Sequence, residues 1–595
     1  MKGFLLLLVI FAASSVARPS SGPDGVAVFR HSCATCHRPD SGTRAPLPAV
    51  LRQMTSESIL RALETGDMRA QGALLTPAER QAVAKYLGKR DSRSVSAGNG
   101  LCATPTPWLE TDAAWNGWGP GAHNTRFQSA AAAGLNRQDV PRLKLKWAFG
   151  FPHGSSINSS PAVFAGRVFV GTEDGTVYSL SAESGCIDWT FKASATVRTA
   201  PVVDPAARLV FFGDVDGRVY AVAAETGKLV WQRRSDAHPA ARIRGTPTLA
   251  GGRLYVPVSS SEEGLADNPR YPCCTFSGAI TVFEARTGRK IWEAHTIPVK
   301  ARRTGVNRAG VPTWGPSGAS VWSPPTVDLK RHAVYVGTGN SYSDPPSPFT
   351  DAVMAFNMDT GKRLWSRQFL PRDLWNGGCV AKENANCPSQ PGPDYDFGSP
   401  PMLCSTGKGR DLLIIGQKSG VVYALDPDHK GQIVWQTRIG HGGPLGGIEF
   451  GGGADRDLAY FPLSDWQQSQ PYEGGGLFAL RIPDGQKVWY TPPPKPACAK
   501  RPGCSAALIA PVTVIPGVVF SGSQDGHLRA YDTHDGSLLW DFDTLRNFET
   551  VNGVPGRGGA FSSIGAVVAN AMLFIDPGYG GLPGNILLAF SVDVK

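Results

Sequence analysis

The sequence predicts an all-β propeller of eight blades behind a small all-α unit, on three observations. A glycine turn followed by tryptophan recurs along most of the chain, half a repeat stands at each end of that region, and the first ninety residues read as short capped helices. Composition agrees. The 595 residues exceed what one hydrophobic core usually supports. Seventy glycines, 48 prolines and only 18% charged residues suit a β protein rich in turns, and 42% hydrophobic residues exclude a disordered chain.

Each repeat is an apolar strand, a turn with glycine and, a few residues later, tryptophan. It runs from Gly185 to Trp189, Gly227 to Trp231, Gly288 to Trp292, Gly361 to Trp365, Gly431 to Trp435, Gly485 to Trp489 and Gly536 to Trp540. Such a unit cannot bury its faces alone, so copies must stack. The tryptophan ends a strand, where its indole packs between neighbouring sheets. Leu143 to Trp147 supplies a tryptophan strand without its hairpin partner, and Ile586 to Phe590 supplies the partner without its tryptophan. Joining the two closes the ring and leaves no open sheet edge. With Trp147 the tryptophans number eight, at intervals of 42 to 73 residues. The longer intervals mark extra loops in the middle blades, where function usually sits.

At the N-terminus Lys2, the apolar run 4–13 and Ser15-Val16-Ala17 predict a signal peptide over residues 1–17. That run is too short to span a bilayer, and no later span is long enough, so the expected location is the periplasm. Export permits disulfides. Cys379 with Cys387, and Cys498 with Cys504, are expected to close small loops, while Cys102, Cys186 and Cys404 stay unassigned. The net charge of +10 is spread thinly, without a basic run. That excludes a nucleic-acid binder and tolerates an anionic partner such as an acidic electron carrier.

Residues 22–90 carry Cys33-Ala34-Thr35-Cys36-His37, the attachment motif of haem c. Two thiols three positions apart bond both vinyl groups of one haem, and His37 reaches the iron from the same turn. Val26, Phe29 and Arg30 have helical spacing before the motif. Thr76-Pro77-Ala78-Glu79 combines an N-cap, a proline at N1 and a capping-box glutamate, and Val83, Tyr86 and Leu87 continue that helix. This is the plan of an all-α class I cytochrome c domain. Met68, in a glycine-containing loop before the last helix, is the expected sixth iron ligand, with Met54 as its rival. Residues 91–114 read as a Ser/Gly/Pro/Thr-rich linker, and 115–595 as the propeller.

The propeller resembles the PQQ-dependent alcohol dehydrogenases from Trp115 to the end. Besides the tryptophan repeat, Trp115-Asn116-Gly117-Trp118-Gly119, Asn124-Thr125-Arg126-Phe127 and Leu135-Asn136 carry the resemblance. The cofactor it implies, pyrroloquinoline quinone (PQQ), is a flat tricarboxylate. It requires cations, an aromatic floor, a Lewis acid and a base for the alcohol proton. By resemblance, Arg198 pairs with PQQ, Ser259 and Ser260 lend it hydroxyls, Trp322 is its floor and Lys418 hydrogen-bonds its quinone oxygens. Glu262, favoured over Glu263, and Asn340 are the implied calcium ligands, an oxygen set that suits calcium. Asp396 is the implied base. An insertion between Asn376 and Pro393 leaves Asp373 and Asp394 as rivals. The adjacent Cys273 and Cys274 form a disulfide that either lies over the PQQ face or staples a loop. The implied chemistry moves hydride from the alcohol carbon to PQQ and electrons onward to the haem and an external acceptor. A cytochrome ahead of the propeller resembles the branch that oxidises secondary alcohols in polyvinyl alcohol. Two alternatives stand beside it: the same chemistry on small primary alcohols or polyols, and a scaffold propeller of the outer-membrane assembly type without cofactor.

Overall fold

The computed structural model describes residues 22–38, 41, 45–66, 68–89, 100–109, 114–152, 154, 159–381, 383–407, 409–466, 474–498, 501–578 and 581–593. The expected signal peptide, 1–17, lies outside them. None of the helices described is long and apolar enough to cross a membrane.

The N-terminal unit contains α1 (Gly25–Ser32), α2 (Pro48–Leu51), α3 (Ser56–Glu64), α4 (Arg69–Gly72) and α5 (Pro77–Leu87). Asp24 caps α1 by accepting the Val26 N–H, and α1 ends at Cys33, so the haem motif follows in the next turn. Thr76 and Glu79 form the expected capping box on α5. Val28, Phe29, Leu63, Val83 and Leu87 make the core between α1, α3 and α5. Helices α1 and α5 cross so closely that a Cβ on Gly25 would stand 2.3 Å from the Ala82 carbonyl oxygen.

The rest forms eight four-stranded antiparallel sheets, one of them with an extra short strand. Blades 1 to 7 occupy 162–192, 202–234, 248–295, 326–368, 402–438, 453–491 and 513–543. Blade 8 takes three strands from 567–591 and its outermost from Lys144–Gly150, paired with Ile586–Ser591. The ring is therefore closed by the two ends of the propeller segment.

The repeat has a physical basis on both sides of each inter-blade joint. Trp147, Trp189, Trp231, Trp292, Trp435 and Trp489 each donate the indole N–H to a main-chain carbonyl of the next blade at 2.9–3.0 Å. The turn glycine of that next blade lies flat on the same ring. At the seven turn glycines φ is between +67° and +73°, and a Cβ there would stand 2.4–2.8 Å from the tryptophan one blade back. Glycine meets both demands at once: it adopts the left-handed conformation without strain and leaves room for the indole.

Residues 115–128 cross one end of the ring. Trp115 pairs with Val163 of blade 1, Asn116 with Val203 of blade 2, and Asn124 reaches Thr326 of blade 4. Leu403, Ala454 and Val514, from blades 5, 6 and 7, bond to the same segment. Arg126 is wholly buried between Trp115 and Trp118, and its guanidinium donates to Val512, Thr513 and Ala566. Burial holds its pKa down, to about 9. This segment plugs the axis.

The cysteines left unassigned resolve by proximity in space. Cys102 bonds Cys186, 84 residues away, pinning part of the expected linker to blade 1, and Cys404 is a buried free thiol. The loops Cys379–Cys387 and Cys498–Cys504 are closed as expected.

Candidate active site and haem crevice

A cavity of about 500 Å³ occupies the axis, and residues of both units line it. Five consecutive blades contribute the same register position to it. Arg198, Arg244, Trp322, Gly398 and Glu449 each stand four residues before the innermost strand of blades 2 to 6, and all five line the cavity. Each follows an apolar residue whose N–H bonds to the preceding blade, as Val197 does to Thr172 at 3.1 Å and Ile243 to Asp214 at 3.2 Å. The apolar residue fixes the chain, so the next one is turned to the axis. Gly398 is the position that makes room: a Cβ there would stand 2.0 Å from the Trp322 ring. Trp322 is also met edge-on by Phe450 at 6.0 Å, and the Lys418 ammonium lies 5.7 Å from its ring centre.

Lys418 is the hub. Its ammonium is buried, 3.2 Å from both oxygens of Asp394 and 3.3 Å from Oδ2 of Asp396. Burial opposes its charge, but the carboxylates of Asp394, Asp396, Glu449 and Glu263 outweigh that and raise its pKa. Burial pushes Asp394 well above the usual carboxylate range despite the lysine, and burial with the nearby Asp396 charge also raises Glu263. Asp396 Oδ1 accepts the Asn340 N–H at 2.9 Å, and the Asn340 side-chain amide donates to the Trp375 carbonyl at 2.8 Å.

The structure places some of the rival residues on the cavity and others behind it. Asp373 spends both oxygens on the N–H groups of Asp394 and Tyr395, at 3.0 and 2.7 Å, so it shapes the loop rather than facing the cavity. Asp394 and Asp396 both line the cavity. Glu262 does not. Its carboxylate accepts from Tyr271, from the N–H groups of Thr275 and Phe276, and from the Thr275 hydroxyl. It braces the loop after Cys273-Cys274, while its neighbour Glu263 lines the cavity. A single helical turn, Glu262–Leu265, puts the two side chains on different sides. Cys273 and Cys274 are bonded to each other but sit among Val258, Phe276, Ala279 and Tyr342, outside the cavity lining. Ser259 and Ser260 line it, held where their strand pairs with Ala241 and Arg242. Asn340 is buried behind Asp396. Arg244 and Glu449 are lining residues that sequence reading missed. The repeated apolar–x–x–x–Pro register of Val197 to Pro201 and Ile243 to Pro247 was a usable signal for Arg244.

The haem crevice opens into the same space. Cys36, His37, Leu51, Met54 and Met68 line it. His37 Nδ1 lies 2.8 Å from the Pro46 carbonyl, which fixes the ring and frees Nε2. Burial holds the imidazole below its usual pKa, keeping it in the form that binds iron. Cys33 and Cys36 are free thiols, pushed up to about 11 by burial.

An indole between arginines and a lysine, beside a carboxylate cluster and open to the crevice of the haem motif, is a setting that suits a flat anionic cofactor, as in a PQQ-dependent dehydrogenase joined to a c-type cytochrome. Comparison with known proteins agrees. A family profile described as glucose/ethanol/alcohol dehydrogenase, beta-propeller domain, matches residues 115–438. One described as outer membrane protein assembly factor BamB matches 418–560, and one described as cytochrome C oxidase, cbb3-type, subunit III, matches 21–87. A polyvinylalcohol dehydrogenase from Pseudomonas sp. is 38% identical over 632 residues, covering 100% of this chain and 97% of the relative. Another from Sphingopyxis sp. (strain 113P3) is 37% identical, covering 98% and 95%. The chain belongs to the polyvinyl alcohol dehydrogenase family of PQQ-dependent alcohol dehydrogenases. The structure of quinohemoprotein alcohol dehydrogenase ADHIIG from Pseudomonas putida HK5 shares the fold, with TM-score 0.61 at 16% identity over 83% of each chain.

Proposed function

We propose that this chain is a periplasmic enzyme that oxidises secondary hydroxyl groups of a polymer of the polyvinyl alcohol type to ketones. The two full-length relatives named for that polymer support the substrate class. The observation that carries the chemistry is the buried Lys418, held between Asp394 and Asp396 against Trp322 in a cavity shared with the haem crevice. When bound, PQQ supplies an electrophilic carbonyl that accepts hydride from the alcohol carbon.

The donor set fits the cofactor. Arg198 and Arg244 match its carboxylates, Ser259 and Ser260 offer hydroxyls, and Trp322 offers a floor. Lys418 stabilises negative charge developing on a quinone oxygen. Glu263, Asn340 and Asp396 would supply oxygens to hold calcium. Four acidic groups, Asp394, Asp396, Glu449 and Glu263, surround one ammonium, an excess of oxygen donors that suits a divalent cation. Asp396 is the base in this reading: it lines the cavity, whereas Asp373 turns both oxygens to the main chain, and burial raises the Asp394 carboxyl well above the usual carboxylate range. His37 and Met68 would hold the haem iron, and Cys33 and Cys36 would anchor the haem covalently.

Reduction of the haem band by polyvinyl alcohol, 2-alkanols and ethanol tests the substrate class. Polymer and 2-alkanols should reduce it faster. Fastest reduction by ethanol would overturn that class, and no reduction by any would favour a scaffold. For the metal, Glu263→Gln should lose bound calcium and Glu262→Gln should keep it.

A further inference from the structure

The residues flanking Met68 bind the propeller, and they do so at the loop that carries Arg198. The Thr196 hydroxyl, whose nearer acceptor is the Glu173 carbonyl at 2.5 Å, also lies 3.3 Å from the Thr65 carbonyl, and Arg69 pairs with Asp216. These two contacts belong to one rigid unit. Val215 donates its N–H to the Thr196 carbonyl at 3.0 Å, and Asp214 fixes the turn by accepting the N–H groups of Asp216 and Arg218. Arg198 follows Thr196 by two residues and lines the cavity. On the haem side, the Met68 N–H is held by Ala62 and the Gly72 N–H by Met68, so Thr65 and Arg69 are tied to the turn that presents Met68. Gln71 also approaches the propeller: a Cβ on Gly264, beside Glu263, would stand 3.8 Å from the Gln71 amide nitrogen.

We propose that Thr65, Arg69 and Gln71 form the seat that docks the haem unit on the propeller, with Arg69 and Asp216 as an ionic latch that sets the spacing between the two redox centres. Arg69 and Asp216 are positioning residues: neither lines the cavity. The inference rests on the proposed function, because the spacing matters only if electrons pass from the axial site to the haem. The pair is partly exposed, with side chains 47% and 20% accessible. Salt therefore screens it, and its loss loosens the seat without unfolding either unit.

The test reads two electron exits from the same holoenzyme. Alcohol-driven reduction of a phenazine dye reports the axial site, and growth of the ferrous haem band reports transfer between units. Arg69→Ala or Asp216→Asn should leave dye reduction unchanged and slow haem reduction about two- to fivefold, the range of a partly exposed ion pair. The exchanged pair R69D/D216R should restore it. Small-angle X-ray scattering of the cofactor-free protein should show a larger radius of gyration in the single variants, and in the native chain at high salt. Unchanged haem reduction and unchanged radius in both single variants would overturn the latch. Absence of alcohol-driven dye reduction in the native chain would instead overturn the proposed function.

Discussion

Blades 2 to 6 and blade 7 share one inter-blade joint and differ at the axis. In each, a turn glycine lies on the tryptophan of the blade before. Four residues ahead of the innermost strand, blades 2, 3, 4 and 6 place Arg198, Arg244, Trp322 and Glu449, and blade 5 places Gly398 to accommodate the indole. The same count from Thr513 in blade 7 reaches Ile509, a buried apolar residue. The joint packs against a neighbouring blade, so the same glycine-on-tryptophan chemistry recurs at seven of the eight tryptophans. The axial position faces the cavity rather than the joint, so it is free to become cation, floor or acid.

If the axial positions alone carry function, changes there should abolish activity without unfolding the ring. Asp396→Asn has the largest expected effect, a fall of about 10²- to 10⁴-fold in kcat, read as alcohol-driven haem reduction with the circular dichroism unchanged. Gly398→Ala forces the Trp322 ring from its place. It should weaken quinone binding about 5- to 150-fold, the size of a typical overpacking penalty. Titration of quinone into apo-protein checks this, and native affinity in that variant would remove Trp322 as the floor.

Joint changes should do the reverse. Gly485→Ala places a methyl 2.4 Å from the Trp435 ring at φ +69°. Unfolding should become easier by about 1–3 kcal/mol, seen as a lower urea midpoint, while activity per folded molecule is kept.

The smallest effect concerns Asp576 in blade 8. Its carboxyl is buried, neither oxygen has a hydrogen-bond partner among the described residues, and burial raises its pKa well above the usual value. Between the unfolded value, about 3.9, and that raised value, the native state holds one proton more than the unfolded chain. Stability therefore falls as pH rises through this window. Asp576→Asn should remove that slope, so its advantage in melting temperature over the native chain should grow from pH 5 to pH 8.

The ring and its count of blades were legible in the order of residues, because period, turn glycine and tryptophan are local signals that repeat. So were the haem motif and the capped helix α5, whose chemistry lies within a few consecutive residues. Only the tertiary structure decided which of two adjacent glutamates faces the axis, since one helical turn sends Glu262 and Glu263 to different sides. It alone decided that Asp373 braces a loop, that Cys102 meets Cys186, and that Cys273-Cys274 lies outside the cavity. It alone joined the haem crevice to the propeller axis. Each of those outcomes depends on contacts between residues distant in the chain, whose partners are chosen by the closing of the ring and leave no periodic trace in the order of amino acids.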